Sequence, residues 1–271
     1  MPNASLLRWV GGKVRYAPEL ARILASAKWA RGSRYVEPFV GGASVYFALG
    51  PKRALLADAN PDLVSFYQCV SDSAQAVYEI ARGLSGRTSN AEFLDYRAEF
   101  NELQSGTRKA ALFLYLNRTC FNGVWRVNRQ GNFNVPFGSR ELTMPELGAW
   151  LEVSASLKSA DIQCSDWAAT VNTVSKQDVV FIDPPYHQAN STESFARYTK
   201  GVFSEGDHRA LAARVDALDA LGCQILLTVS DSSLIRDLYP NFKISELGGW
   251  YTVGAKGSHL RSNEIVLRNF G

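Results

Sequence analysis

A strand, a glycine turn, a helix and a second strand between residues 34 and 58 limit the possible folds of this chain most. Tyr35-Val36 begins the first strand, and Gly41-Gly42 turns the chain into a short helix that continues to Leu49. The second strand, Ala54–Asp58, ends in an acid. A glycine-rich turn of this kind is typical of the first βαβ unit of a nucleotide-binding sheet. We therefore expect an α/β fold with a mostly parallel, Rossmann-like sheet.

The rest of the chain supplies further strands for the same sheet. Asp178–Ile182 and Gln224–Ser230 are short apolar runs rich in β-branched residues, which predicts buried strands. Two strands are predicted near the C-terminus, at residues 243–247 and 264–269, and we expect an antiparallel strand there. Helical spacing from Leu63 onward, with a break at residues 83–90, indicates an insert between two halves of the sheet.

The glycine turn predicts a ligand without phosphate groups. The full Gly-x-Gly-x-x-Gly spacing is missing, so the turn does not indicate a pyrophosphate site and suits an adenosyl ligand. Asp58 lies about 17 residues beyond Gly41, close to the offset at which an acid accepts from ribose hydroxyls. The alternative role for Asp58 is the N-cap of a helix beginning near Pro61.

Two other short motifs are candidates for the same ligand. Trp9-Val10-Gly11-Gly12-Lys13 allows close backbone approach to a ligand, or it forms an ordinary turn into a helix around residues 16–27. Asp161–Trp167 predicts a strand that ends in an acid and an aromatic residue. Asp166 could accept from an adenine amine while Trp167 covers the ring, or Asp166 could cap the next helix.

The tetrapeptide Asp183-Pro184-Pro185-Tyr186 stands where the strand Asp178–Ile182 ends. Ligands of open α/β sheets bind outside the carboxyl ends of the strands. Two prolines fix φ twice and remove two amide donors, so carbonyl oxygens there are available to a guest. A carboxylate, a carbonyl and an aromatic face within four residues suit a planar base with an exocyclic amine. The alternative is a plain strand end whose tyrosine packs on the core.

Charge is concentrated in one part of the chain. The net charge of the 271 residues is only +3, and hydrophobic residues make up 46%, as in an ordinary globular protein. Residues 103–140 contain no Asp or Glu, and their cations are Arg108, Lys109, Arg118, Arg126, Arg129 and Arg140. Such a stripe is typical of a surface that binds a phosphate backbone. The alternative is a solvated surface whose acids come from elsewhere in the fold.

The segment from Thr119 to Gly138 predicts a basic β-hairpin, because arginines alternate with apolar residues on either side of a Gln-Gly turn. Arginine, asparagine and apolar side chains are the types that read base edges, and a hairpin fits the major groove. The alternative is a structural hairpin that covers the sheet.

Cysteine usage and hydropathy argue against a metal centre and a membrane span. The four cysteines are scattered and show no metal-ligand spacing with the three histidines. No apolar stretch is long enough to span a bilayer, and we find no pattern of a secretory signal. We expect a cytoplasmic protein without a structural metal.

Taken in order, the motifs resemble those of the Dam family of DNA adenine N6-methyltransferases. The matching patterns are Arg-Trp-x-Gly-Gly-Lys, Phe-x-Gly-Gly, Asp-x-Asn-x-x-Leu, Phe-Asn-Gly-x-x-Arg-x-Asn, Gly-x-Phe-Asn-Val-Pro-Phe-Gly, Asp-Trp and Asp-Pro-Pro-Tyr. The resemblance runs from Leu7 to about Arg268. It implies a catalytic domain from residues 1–62 and 160–271, which binds S-adenosylmethionine, and an inserted DNA-recognition domain from residues 63–159.

The resemblance also implies roles for individual residues. S-adenosylmethionine would contact Trp9, Lys13, Phe39, Gly41, Asp58, Asp166 and Trp167, the last standing where the family usually has Phe. Asp183 and the Pro184 carbonyl would hold the target amine, with Pro185 stiffening the turn and Tyr186 stacking on the base. DNA would contact Arg118, Asn122, Val124, Arg126, Asn128, Asn134, Pro136, Lys256 and Arg261.

The resemblance implies methylation of N6 of a flipped-out adenine in double-stranded DNA within GATC, with S-adenosylhomocysteine as product. The enzyme would act in a bacterial or phage-infected cell, as a monomer or as two molecules on one palindromic site. The resemblance also implies a relation to the methyltransferases of restriction-modification systems. The alternatives are an amino methyltransferase for cytosine N4, RNA or a protein glutamine, and a DNA-binding relative without catalysis.

Overall fold

Helices and strands alternate along the chain as the sequence predicts. The structure, a computed structural model, describes residues 5–84, 89–185, 203–248, 250–253, 258–261 and 264–271. The helices are α1 (Ala17–Ala25), α2 (Ser44–Leu49), α3 (Pro61–Gly83), α4 (Asn90–Glu102), α5 (Thr107–Thr119), α6 (Leu147–Leu157), α7 (Trp167–Val171), α8 (Glu205–Leu221) and α9 (Ser233–Leu238). The strands are β1 (Tyr35–Glu37), β2 (Ala54–Asp58), β3 (Ala160–Cys164), β4 (Val179–Ile182), β5 (Gln224–Ser230), β6 (Lys243–Glu246), β7 (Trp250–Val253), β8 (Ser258–Arg261) and β9 (Glu264–Arg268).

Seven of the strands form one sheet in the order β3-β2-β1-β4-β5-β9-β6. Neighbours from β3 to β5 are parallel, whereas β9 runs antiparallel to both β5 and β6. The predicted mostly parallel, Rossmann-like sheet with an antiparallel strand near the C-terminus is confirmed. The chain order reverses between β1 and β4, so the carboxyl ends of these two strands border a crevice.

Both faces of the sheet are buried, because successive residues of a strand point to opposite sides. Val36 and Val180 pack in a cluster with side chains of α7, α8 and α9. Tyr35 and Phe181 belong to a second cluster, which includes side chains of α1 to α6. Parallel strands covered on both faces are nearly continuous apolar runs, which is why the sequence predicts them well.

The segment predicted as an insert shares the core of the sheet. It consists of α3 to α6, and the predicted break at residues 83–90 is confirmed, since α3 ends at Gly83 and a capping box of Ser89 with Glu92 starts α4. One continuous apolar cluster joins Phe66 of α3 and Trp150 of α6 to the second face of the sheet. The division into residues 1–62 with 160–271 and residues 63–159 stays a prediction, and the structure shows that the two parts are packed on each other.

The chain after α5 folds back on itself as predicted, but with less regular pairing. Residues 120–138, here called the 120–138 segment, contain isolated antiparallel bridges at Cys120–Phe137 and Val127–Phe133 rather than a continuous ladder. A turn near Gly131 reverses the chain, as the Gln-Gly signal predicts. Trp125 packs against Phe113 of α5 and Phe133, at centroid distances of 4.2 and 4.3 Å, so the segment is held to α5 by ring contacts.

We expect Trp150→Ala to lower the free energy of unfolding by about 3–5 kcal/mol, because the indole is fully buried against Phe66 and Tyr78. The shared core predicts one cooperative transition in calorimetry, shifted as a whole. The control is Leu151→Ala on the same helix, where the side chain is 48% exposed and the expected change is within about 0.5 kcal/mol. Two transitions, only one of them shifted, would contradict the shared core.

Candidate active site

A cleft of about 560 Å³ opens at the carboxyl ends of β1 and β4, where the strand order reverses. All residues that the sequence assigns to the cofactor line it, with the first three residues of the proline-containing tetrapeptide. These residues are Trp9, Lys13, Phe39, Gly41, Asp58, Asp166, Trp167, Asp183, Pro184 and Pro185. The fold therefore brings the predicted motifs together at one site.

Asp183 is held by the strand beside it. Ile182 of β4 pairs with Leu227 of β5, so the next residues along each strand, Asp183 and Thr228, are neighbours. The Thr228 hydroxyl, which is fully buried, donates to Oδ1 of Asp183 at 2.7 Å. Sequence reasoning missed Thr228, and the available signal was a hydroxyl inside an otherwise apolar strand.

The buried Lys13 forms an ion pair with Asp183, whose side chain is 17% exposed. Its Nζ lies 2.8 Å from Oδ1 and 2.9 Å from Oδ2 of Asp183, and the lysine is only 4% exposed. The same ammonium donates to the carbonyl of Gly11 at 3.0 Å and lies 4.0 Å from Oε2 of Glu264 on β9. The lysine predicted at the cofactor therefore also fixes the acid of the tetrapeptide.

The turn at Gly41 needs a residue without a side chain. Its φ is +43°, in the left-handed region, and a Cβ there would stand 2.8 Å from the indole of Trp9. The carbonyl of Gly41 accepts from the Tyr67 hydroxyl at 2.8 Å, and its amide donates to Oδ2 of Asp58 at 3.1 Å. The predicted glycine turn is thus the place where the Trp9 ring, β1 and β2 meet.

Asp58 has a role other than the helix cap offered as its alternative. Asn60 caps α3, since its Oδ1 accepts from the amides of Asp62 and Leu63. Asp58 accepts from the amides of Gly41 and Asn60 at the mouth of the cleft. Burial raises the pKa of Asp58, and its backbone hydrogen bonds act in the opposite direction.

Aromatic rings form one wall of the cleft. Phe39 stacks on Trp167, with centroids 6.3 Å apart and an interplanar angle of 24°. Phe203, which sequence reasoning missed, meets Phe39 edge-on at 5.9 Å. Asp166 caps α7, accepting from the amide of Ala169 at 2.9 Å, so the alternative role predicted for it is correct, and Asp166 also lines the cleft.

Glu37, the last residue of β1, is a further acid of the cleft that sequence reasoning missed. It is 3% exposed, and its Oε2 accepts from the Tyr35 hydroxyl at 2.9 Å. Burial holds the pKa of Glu37 well above its ordinary value; the Tyr35 hydrogen bond lowers it, and the charges of Asp183 and Asp58 raise it. The available signal was a charged residue at the end of a buried strand, immediately before Pro38.

The cations of the predicted stripe have different surroundings. Arg108 forms a bidentate pair with Glu99 at 2.6 and 2.7 Å, and Lys109 lies 3.3 Å from Asp62. For these two residues the alternative is correct, because other helices supply the acids. Arg129 and Arg140 are exposed on and just beyond the 120–138 segment.

Arg118 contacts the N-terminal segment. Its Nε donates to the carbonyl of Leu6 at 2.7 Å and a terminal nitrogen reaches the carbonyl of Ser5 at 3.5 Å. Burial lowers the pKa of Arg118, and the nearby Arg8 lowers it further. The guanidinium thus has a structural partner, and its contact with a nucleic acid stays a prediction.

Within the 120–138 segment, the predicted contact residues support one another. Nε of Arg126 donates to Oδ1 of Asn134 at 2.9 Å, so this arginine fork is already oriented. Oδ1 of Asn128 accepts from the amides of Gln130 and Asn132 and shapes the turn. Asn128 therefore has a local role in addition to the one predicted.

The segment also presents side chains to solvent. Asn122 is exposed and has a left-handed φ of +54°, and Pro136 is exposed, whereas Val124 is half-buried. Phe121, which sequence reasoning did not single out, is 54% exposed beside Asn122.

Two predicted residues, Tyr186 and Lys256, lie outside the described residues, and Arg261 lies on β8. In the described parts of the chain, no three His, Cys, Asp or Glu residues are grouped as a metal site would require. None of the helices described combines the length and apolar character needed to cross a membrane.

Comparison with known proteins identifies related sequences. The family model of the D12 class N6 adenine-specific DNA methyltransferases matches residues 9–253. The DNA adenine methylase of Escherichia coli (strain K12) is 33% identical over 268 residues, covering 98% of this chain and 94% of that protein. A type II methyltransferase of Lactococcus lactis subsp. cremoris is 29% identical over 272 residues, covering 97% and 94%. The DNA N-6-adenine-methyltransferase of Escherichia phage P1 is 32% identical over 260 residues, and this chain spans 33% of its length.

The buried carboxyl of Glu37 should make the stability of the fold depend on pH. Because the folded-state pKa of Glu37 is raised, its contribution to stability is fully present below the ordinary value of 4.5, where the carboxyl is protonated. That contribution is lost as the pH rises through the folded-state pKa and the buried carboxyl ionises. Glu37→Gln, which stays neutral, should therefore unfold at a higher temperature than the wild type at mildly alkaline pH. The difference should shrink as the pH falls towards the ordinary glutamate range.

The measurement is thermal unfolding across this pH range, with Glu152→Gln as the control at an exposed position on α6. An equal shift for both variants, or a Glu37→Gln advantage that grows on acidification, would contradict a buried acid of raised pKa.

Proposed function

This chain belongs to the D12 class of N6 adenine-specific DNA methyltransferases, and from that premise we propose that it moves the methyl group of S-adenosylmethionine to N6 of a flipped-out adenine in GATC. The observation that carries the proposal is that one cleft is lined both by Gly41 and Asp58, which are hydrogen-bonded, and by Asp183, which is held by Lys13 and Thr228. One side of the cleft suits an adenosyl ligand, and the other suits an exocyclic amine.

The charges of the cleft fit S-adenosylmethionine. Its described lining contains the acids Glu37, Asp58, Asp166 and Asp183, and Lys13 is the sole cation among these residues. Such a lining attracts a sulfonium and an ammonium group and disfavours the phosphates of a dinucleotide. When bound, the cofactor supplies a methyl group on a positively charged sulfur.

Each part of the cleft has a proposed contact. Asp58 would accept from the ribose hydroxyls, as its position after β2 and its contact with Gly41 favour. Phe39 and Trp167 would enclose the adenine ring, with Asp166 accepting from its amine. Glu37 would hold the methionyl ammonium, because a cation offsets the unfavourable burial of its carboxylate.

Asp183 and Pro184 would prepare the target nitrogen. The N6 lone pair of adenine is delocalised into the ring, so the amine is a weak nucleophile. Asp183 would accept one N6 hydrogen and the Pro184 carbonyl the other, which favours a pyramidal nitrogen with its lone pair directed at the methyl group. Lys13 balances the charge of Asp183, so Asp183 would act as an oriented acceptor rather than as a free base. As the bond from N6 to the methyl carbon forms, the bond from sulfur to that carbon would break with its electron pair left on sulfur, and the extra N6 proton would then pass to solvent. Most of the acceleration would come from positioning and fixed dipoles.

The 120–138 segment would read the DNA. Adenine N6 is inaccessible in the duplex, so the base must leave the stack at a cost of a few kcal/mol. The exposed Asn122 and the Arg126 fork held by Asn134 are suited to base edges, with Val124 and Pro136 as apolar contacts. Phe121 could fill the space that the departing base leaves, as apolar wedges do in other DNA complexes.

Other predicted residues would contact the DNA backbone and the flipped base. Arg118, Asn128, Lys256 and Arg261 would meet the backbone, and Tyr186 would stack on the flipped base. One monomer would bind one site, or two would bind a palindrome. In this proposal, residues 1–62 with 160–271 perform catalysis and residues 63–159 recognise DNA.

The decisive experiment incubates the purified chain with plasmid DNA and tritium-labelled S-adenosylmethionine. We expect label in DNA, N6-methyladenine in a nucleoside digest with mass detection, and resistance to a nuclease that is blocked by methylated GATC. A nuclease that requires methylated GATC should cut the same plasmid. N4-methylcytosine, or no label in the DNA, would contradict the substrate, whereas N6-methyladenine outside GATC would contradict only the recognition sequence.

Asp183→Asn tests the amine contact. We expect methyl transfer to fall by at least about 10²–10³-fold, since the oriented acceptor is lost, while S-adenosylmethionine binding stays measurable. The thermal midpoint is recorded alongside, because the change leaves the Lys13 ammonium buried without its carboxylate. Asp216→Asn, an exposed position on α8, is the matched control. Near-normal activity of a folded Asp183→Asn variant would refute the assignment.

A further inference from the structure

Asn117, in the last turn of α5, contacts the backbone of a residue 109 positions earlier in the chain. The side chain is fully buried. Its Oδ1 accepts from the amide of Arg8 at 2.8 Å, and its Nδ2 donates to the carbonyl of Arg8 at 2.8 Å. The amide group therefore pairs with one backbone residue as a neighbouring strand would.

This contact fixes the loop that lines the proposed cofactor site. Arg8 is followed by Trp9, whose indole lies against Gly41 and stacks on Phe113 at a centroid distance of 6.4 Å. Phe113 and Asn117 are four residues apart and so lie on one face of α5. One helix face thus holds two successive residues of the loop, by a hydrogen-bonded pair and by a ring contact.

The loop continues to Lys13, which contacts Asp183. The amide of Gly12 donates to the carbonyl of Trp9 at 3.0 Å, and Lys13 then reaches Asp183. A displacement at Arg8 would therefore move both the ring that covers Gly41 and the ammonium that orients Asp183.

We propose that Asn117 is a positioning residue, which holds Trp9 and Lys13 in place for cofactor binding although it lies in the segment predicted to recognise DNA. The inference rests on the proposed function, because it takes the cleft to be the S-adenosylmethionine site. Arg118 holds the same loop at a second point, the carbonyl of Leu6, which lies two residues before Arg8.

The chain offers a control with the same chemistry. Asn101 of α4 clamps Phe133 in the same way: its Oδ1 accepts from the Phe133 amide at 2.8 Å and its Nδ2 donates to the Phe133 carbonyl at 3.1 Å. The two asparagines make the same kind of pair with the backbone, but Asn101 holds the 120–138 segment rather than the cofactor loop.

The experiment compares Asn117→Ala and Asn101→Ala in the full-length chain. The dissociation constants of S-adenosylhomocysteine and of a GATC duplex are measured separately, with the KM of each substrate. We expect Asn117→Ala to weaken binding of S-adenosylhomocysteine and raise the KM for S-adenosylmethionine by about tenfold, with duplex binding within about twofold of the wild type. Asn101→Ala should show the reverse pattern.

Asn117→Asp covers the case in which Asn117→Ala does not fold, because it keeps the size of the side chain and an oxygen that accepts from the Arg8 amide. Its cofactor affinity should fall between those of the wild type and Asn117→Ala. Wild-type cofactor affinity in a folded Asn117 variant, or equal weakening of both ligands by both asparagine variants, would overturn the proposal. Absence of S-adenosylhomocysteine binding by the wild type would instead refute the proposed function, so the two failures are distinguishable.

Discussion

The ion pair between the buried Lys13 and the partly buried Asp183 is the contact on which the site depends, because it joins segments 170 residues apart at the crevice of the sheet. A buried ammonium is tolerated only with a close carboxylate and further hydrogen bonds, and here Gly11 and Thr228 supply contacts to the two partners. The Lys13 ammonium and the Asp183 carboxylate are therefore each fixed in position by a further hydrogen bond. The ion pair thus holds the glycine-containing loop near the start of the chain against the acid that follows β4.

The sequence was sufficient to predict most of the fold and the motifs that meet at one cleft. Buried parallel strands are short apolar runs, so β2 and β5 have the predicted boundaries. β1 begins at the predicted residue, and β4 begins one residue later than predicted. The glycine turn could be interpreted because Gly41 adopts a conformation that few residues accept. Asp58 and Asp183 could be placed because the carboxyl ends of parallel strands share one edge of the sheet.

Contacts across the fold could not be predicted from one sequence. The hydroxyl of Thr228 faces Asp183 only because of the register of β4 and β5. Arg108 belongs to an acid-free stretch, yet its acid comes from a different helix. Arg118 has the composition of a nucleic-acid contact, but its position against Leu6 follows from how α5 packs on the N-terminal segment. In each case the partner is set by tertiary packing rather than by spacing along the chain.

The pairing of β1 with β4 also has a consequence for synthesis of the protein. The registers Tyr35–Ala54 and Tyr35–Val179 show that one side of β1 can be paired early and the other only after more than half of the chain has been made. On the ribosome, the part of the cleft that residues 9–58 form is made before Asp183 and Thr228 have been synthesised. During the same period, the apolar surfaces of β1 and β2 stay uncovered until α3 to α6 have been made. Closing such long loops is slow. Chaperone access to the nascent chain would matter most during this interval, before the two halves of the cleft have met.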